Sequence, residues 1–119
     1  MSKIERPWGH YELLHQEAQD SRVRLVVMQP HTQMTLQKHD KRSELWFVLH
    51  GQAKVHTLDS SSDYELMGVF GRHQQLWVSK SQWHQVSNDT DDELRMIEVQ
   101  YGDDCNDEDV IRMGDGQAN

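Results

Sequence analysis

Apolar residues along this chain recur with the two-residue period of strands, and no ten-residue segment carries a helical stripe. Val23, Leu25 and Val27 alternate with Arg24, Val26 and Met28 until Gln29-Pro30 stops the run. Glu44-Leu45-Trp46-Phe47-Val48-Leu49 is a second β-prone block, ended by His50-Gly51. Ala53 to Leu58 resumes after a Gly51-Gln52 corner, which has hairpin spacing. Weaker strands are read over Gln75 to Val78 and His84 to Val86, and a clear late one over Leu94 to Tyr101, closed by Gly102. Turn residues come at short intervals, with Ser60 to Asp63 read as a solvated hairpin tip. Many short strands with frequent turns predict an all-β sandwich or barrel.

Length adds that residues 1–119 fit one domain. An N-terminal arm is expected over about 1–10 and an acidic, solvated C-terminal tail over about 103–119. A net charge of −8 argues against a nucleic-acid partner, whose phosphates such a surface repels. The single cysteine, Cys105, excludes an internal disulfide and a Cys-based zinc site. The polar opening Met1-Ser2-Lys3-Ile4-Glu5-Arg6 does not look like a signal peptide, and no apolar run is long enough for a membrane helix. A cytoplasmic location is therefore expected, without membrane contact.

Chemistry concentrates around Gln37, His39 and Glu44. Strand positions two apart share a face, so Gln37 and His39 can converge. Glu44 opens the next strand and can return beside them, and His84 follows a turn-like Ser79-Lys80-Ser81-Gln82. Imidazole, amide oxygen and carboxylate together suit zinc, manganese, iron or nickel. Taken singly, such residues are more often ordinary polar positions than ligands. Trp46 shares a face with Glu44 and Val48, which places it toward a barrel interior. His10, His15, His31, His50, His56 and His73 receive no functional role.

The spacing runs His31, five residues, Gln37, one, His39, four, Glu44, six, Gly51. It resembles the first cupin motif, with His31 in place of a glycine and Gln37 in place of a histidine. His73, Ser79, Ser81, His84 and Asn88 follow the spacing of the second motif, with a Gly, a Pro and a Gly replaced by the first three. Whole phrases are closer still. Arg6-Pro7-Trp8-Gly9, Leu36-Gln37-Lys38-His39, Ile97-Glu98-Val99-Gln100-Tyr101-Gly102 and Asp109-Val110-Ile111-Arg112 resemble the cupin domain of type II mannose-6-phosphate isomerases.

That resemblance implies a small double-stranded β-helix or jelly-roll barrel holding a divalent metal on Gln37, His39, Glu44 and His84. It implies an enzyme, an aldose–ketose isomerase interconverting mannose 6-phosphate and fructose 6-phosphate. Glu98 or Lys41 then serves in catalysis, and Lys38, Lys41, Arg42 and Trp46 contact a small sugar-phosphate substrate. A sugar- or metabolite-binding cupin without that turnover is the alternative. It gains from Lys41, where the family carries a histidine, and from the absence of the family's terminal Tyr-Gly-Arg after Asp115. An iron dioxygenase fits the Gln ligand less well. In many relatives a nucleotidyltransferase domain precedes the cupin. No Gly-rich nucleotide loop occurs in this chain, so no guanylyltransferase activity is expected. Barrel edge strands need cover, which admits a homodimer.

Overall fold

The computed structural model describes residues 3–113, and twelve strands account for all of their regular structure. In chain order they are β1 (Lys3–Arg6), β2 (Gly9–Ala18), β3 (Ser21–Met28), β4 (Thr32–Gln33), β5 (Leu36–Lys38) and β6 (Arg42–His50). There follow β7 (Ala53–Leu58), β8 (Tyr64–Phe70), β9 (Gln75–Val78), β10 (Gln85–Asn88), β11 (Leu94–Gly102) and β12 (Ile111–Met113). They form a six-stranded sheet in the order β1-β2-β3-β11-β6-β9, a four-stranded sheet β4-β10-β7-β8, and the pair β12-β5, every pairing being antiparallel. This is the all-β jelly-roll barrel expected. Among the described residues no helix is long and apolar enough to cross a membrane.

The alternation read in the sequence decides what faces inward. On β11 the buried residues are Leu94, Met96, Glu98 and Gln100, and on β6 they include Glu44, Trp46 and Val48. Register sets Met96 beside Val48 and Val26, Glu98 beside Trp46 and Arg24, and Gln100 beside Glu44 and Arg22. The three central strands therefore share one layout, apolar at one end of the barrel and polar at the other. Val26, Met28, Val48, Val55, Val86, Leu94 and Met96 fill the apolar end, each at most 2% exposed. Burying such side chains contributes roughly 1.5–3 kcal/mol apiece.

Three expectations change. The Gly51 corner does not close a hairpin. β6 pairs with β11 and β9, and β7 with β10 and β8, so the corner carries the chain from one sheet to the other. Gly51 has φ of +85°, and a Cβ there would lie 2.6 Å from the Glu93 carbonyl oxygen, so only glycine fits the crossing. Most of the N-terminal arm is strand, in a β1–β2 hairpin that continues the large sheet. Its alternation is masked by a bulge between Leu13 and His15, which sets Leu13 and Leu14 side by side. The acidic tail is not wholly solvated either, since β12 pairs with β5 and Cys105 is buried. Residues 114–119, where the terminal Tyr-Gly-Arg comparison falls, lie outside the described residues.

Other readings hold. The Ser60–Asp63 stretch is the tip of the β7–β8 hairpin, where the Asp59 carboxylate accepts the Ser61 and Asp63 N–H groups. Asn88 closes β10, donating to the Met28, Gln29 and Asp92 carbonyls.

Candidate metal centre

β5, β6 and the entry to β10 bring the four expected ligands to the polar end of the barrel. Gln37 and His84 exchange both backbone hydrogen bonds at 2.9 Å, which fixes their side chains in one neighbourhood. His39 follows β5 directly, and Glu44 stands on β6 facing inward. His39, Glu44 and His84 are all buried, and each offers one ligand atom within 4.8 Å of the others. That grouping can hold a metal ion.

Hydrogen bonds set the histidine tautomers. His39 Nδ1–H donates to the Asp109 carbonyl at 2.6 Å, and His84 Nδ1–H donates to the Gln82 carbonyl at 3.0 Å. Both Nε2 lone pairs are thereby turned toward Glu44, each 3.6 Å from a carboxylate oxygen. A metal-binding histidine is commonly oriented this way, its second nitrogen donating to a carbonyl. His84 Nε2 is buried and has no hydrogen-bond partner. An orphaned buried imidazole nitrogen is costly unless something accepts its lone pair. The residues present thus fit a divalent cation, with His84 as the vacant donor.

Charge agrees with this. Burial lowers the His39 pKa to about 4, with Arg42 and His84 adding to the effect against Glu44, so the ring is neutral at pH 7. Burial pushes Glu44 upward, but His39, Arg42, His84 and Arg24 outweigh it and hold the carboxyl at about 2. Glu44 is also clamped: Arg42 Nε donates to Oε2 at 3.0 Å and Trp46 Nε1 to Oε1 at 3.1 Å. Arg42 Nη2 reaches His39 Nε2 at 3.3 Å, a contact that an incoming cation must displace.

One pocket opens onto this group. Gln37, His39 and Glu44 line it together with Trp46, Glu98 and Arg42. Glu98 is 2% exposed, and its Oε1 accepts from Arg24 Nε at 2.7 Å and Gln100 Nε2 at 2.9 Å. Burial raises the Glu98 pKa, with Arg24 opposing. Lys38 and Lys41, expected beside a phosphate, do not line the pocket. Lys38 lies over the Trp83 ring and pairs with Asp40, while Lys41 is exposed. Cation chemistry in the pocket comes instead from Arg6, Arg24 and Arg112 besides Arg42. Arg24 had a signal in the sequence, since it shares a strand face with the buried Val26 and Met28. Asp107, which also lines the pocket, had none, because it lies in an irregular acidic segment.

The family model described as "Mannose-6-phosphate isomerase C-terminal" matches residues 1–115. Mannose-1-phosphate guanylyltransferase of Escherichia coli K12 is 31% identical over 114 residues, which are 95% of this chain and 22% of that protein. Mannose-1-phosphate guanylyltransferase RfbM of Salmonella typhimurium is 26% identical, over 93% of this chain and 22% of that one. The chain thus spans about a fifth of the length of these relatives. Oxalate decarboxylase of Lactobacillus farciminis superposes with a TM-score of 0.77 at 22% identity, covering 94% of this chain and 33% of that one, which supports the cupin fold. These names overturn one expectation. Relatives matched along nearly the whole chain are named for guanylyl transfer to mannose 1-phosphate, not for interconverting mannose 6-phosphate and fructose 6-phosphate, so the isomerase assignment is withdrawn.

Proposed function

Since the chain belongs to the mannose-6-phosphate isomerase C-terminal family, a cupin in fold, we propose that it is a metal-holding module that binds a small sugar phosphate. In this reading Gln37, His39, Glu44 and His84 hold the ion. The observation that carries it is the buried, unpartnered Nε2 of His84, turned toward Glu44 beside a neutral His39. A bound divalent ion would accept ligand oxygen lone pairs and so orient a polyhydroxy compound.

The chain's own residues do the rest. Arg42 and Trp46 fix the Glu44 carboxylate, and the Asp109 and Gln82 carbonyls fix the two imidazoles. Binding rather than turnover is favoured, because Glu98, the residue expected as a base, is committed to Arg24 and Gln100, and Lys41 is outside the pocket. The names of the relatives make mannose 1-phosphate the first ligand to try.

Calorimetric titration of mannose 1-phosphate into zinc- or manganese-loaded protein tests this. Binding that disappears when the metal is chelated is expected. Binding of equal strength with and without metal would remove the metal from the account of the ligand.

A further inference from the structure

A protein of net charge −8 lines this pocket with four arginines, Arg6, Arg24, Arg42 and Arg112, and a fifth, Arg22, reaches the pocket's Asp107. They face three carboxylates. Glu44 answers Arg42 and Glu98 answers Arg24, both between buried or nearly buried partners on neighbouring or identical strands. The third carboxylate is different. Asp107 comes from the irregular segment between β11 and β12, its side chain is 50% exposed, and it reaches in to a cradle already built by other elements.

That cradle has three donors. Arg22 Nη2 meets Asp107 Oδ1 at 2.5 Å, Arg24 Nη1 stands 3.5 Å from the same oxygen, and the Tyr11 hydroxyl donates to Oδ2 at 3.3 Å. Arg6 Nη2 in turn donates to the Tyr11 hydroxyl at 3.3 Å. The guanidinium of Arg24 also lies over the Tyr11 ring, 4.0 Å from its centroid. Arg22 and Arg24 are nearly buried, at 10% and 12% side-chain exposure, and Gln100 fixes Arg22 through its Nε. Two rigid guanidiniums and a phenol converging on one point form a site for a doubly charged oxyanion. Among the described residues Arg6 and Arg112 make no ion pair, so the wall keeps excess positive charge even with Asp107 in place.

Resting on the reading of the pocket as a sugar-phosphate site, we propose that Asp107 is a resident counter-ion. It occupies the place of the ligand's phosphate between Arg22, Arg24 and Tyr11, and the ligand must displace it. Asp107 thereby weakens and filters binding: only an anion that satisfies both guanidiniums better than one carboxylate enters. Displacement also moves the segment that carries Asp109, whose carbonyl orients His39 and whose carboxylate accepts the Asp40 and Lys41 N–H groups. Anion binding and the metal centre are then linked through two residues of chain.

The test uses the full chain with inorganic phosphate as probe. Asp107→Asn removes the charge but keeps the shape, and it is expected to bind phosphate about tenfold tighter than the wild type, whereas Asp107→Glu stays near wild type. Phosphate added to the wild type is expected to speed amide hydrogen exchange over residues 105–110. The exchange measurement needs no variant, so a poorly folded Asp107→Asn protein leaves a decisive result. Equal or weaker phosphate binding by a folded Asp107→Asn, or unchanged exchange in the wild type at saturating phosphate, overturns the proposal. Zinc affinity is measured separately on both proteins. Normal zinc binding with no phosphate effect refutes the counter-ion alone, and a phosphate effect without zinc binding refutes the metal reading alone.

Discussion

Three of the residues that stand where the cupin motifs carry glycine keep the backbone geometry of glycine. His31, His73 and Ser81 have φ of 55°, 69° and 60°, in the left-handed region that costs an L residue roughly 1–2 kcal/mol. Ser81→Gly relieves that strain, offset in part by the greater freedom of glycine in the unfolded chain, and should raise stability by about 0.5 kcal/mol in urea unfolding. A loss of stability would mean that the Ser81 hydroxyl bond to Asp40 matters more than the strain. His39 gives a second prediction. Its folded pKa of about 4 lies below the ordinary 6.5, so between these values the unfolded chain takes up a proton that the folded protein excludes. Stability is complete above about pH 6.5 and declines as pH falls toward 4. Metal-free protein should lose about 2 kcal/mol from this residue between pH 7.5 and 5. The loss is read as the difference between wild type and His39→Gln over that range. An equal pH dependence in both proteins would contradict the buried neutral imidazole.

At the level of elements, β3, β6 and β11 carry both the core and the site on one face, and a change of one residue in register would expose both. Strand alternation made part of that legible: Glu44 shares a face with Trp46 and Val48 by counting by two, whereas on β3 the same count set Val23, Leu25 and Val27 against Arg24, Val26 and Met28 without telling which set faces inward. What alternation could not give was which sheet each strand joins. The Gly51 corner has hairpin spacing, yet the positive φ and the close approach to Glu93 turn the chain across the barrel. Nor could it give the site's outer wall, because Asp107 and Asp109 act from irregular chain through a carboxylate and a carbonyl that no periodicity marks. The paired row also predicts a cost. Arg24→Ala strands Glu98, buried to 2%, without its guanidinium and should lose about 3–5 kcal/mol in denaturant unfolding. Replacing the pair together by Met and Leu should recover most of this. A single-variant loss under about 1 kcal/mol would show that Gln100 alone satisfies Glu98.

For the whole molecule, the resemblance read from the phrases identified the fold and the family and misjudged the activity. The phrases lie on strands and corners that shape the barrel, so they report the scaffold, which serves many chemistries. The match spans about a fifth of the length of relatives named for guanylyl transfer. What the barrel does carry is an inward cluster of donors at its polar end, with two imidazoles pinned through Nδ1, that of His39 neutral, and one low-pKa carboxylate between them. The measurement that tests this most directly is metal stoichiometry and thermal unfolding of the wild type and of His84→Ala, each reconstituted with zinc. The wild type should bind about one zinc per chain and gain about 4 kcal/mol of stability at a thousandfold excess over Kd, while His84→Ala folds but shows neither. Zinc bound equally by His84→Ala, or no zinc and no stabilisation in the wild type, would contradict the metal centre.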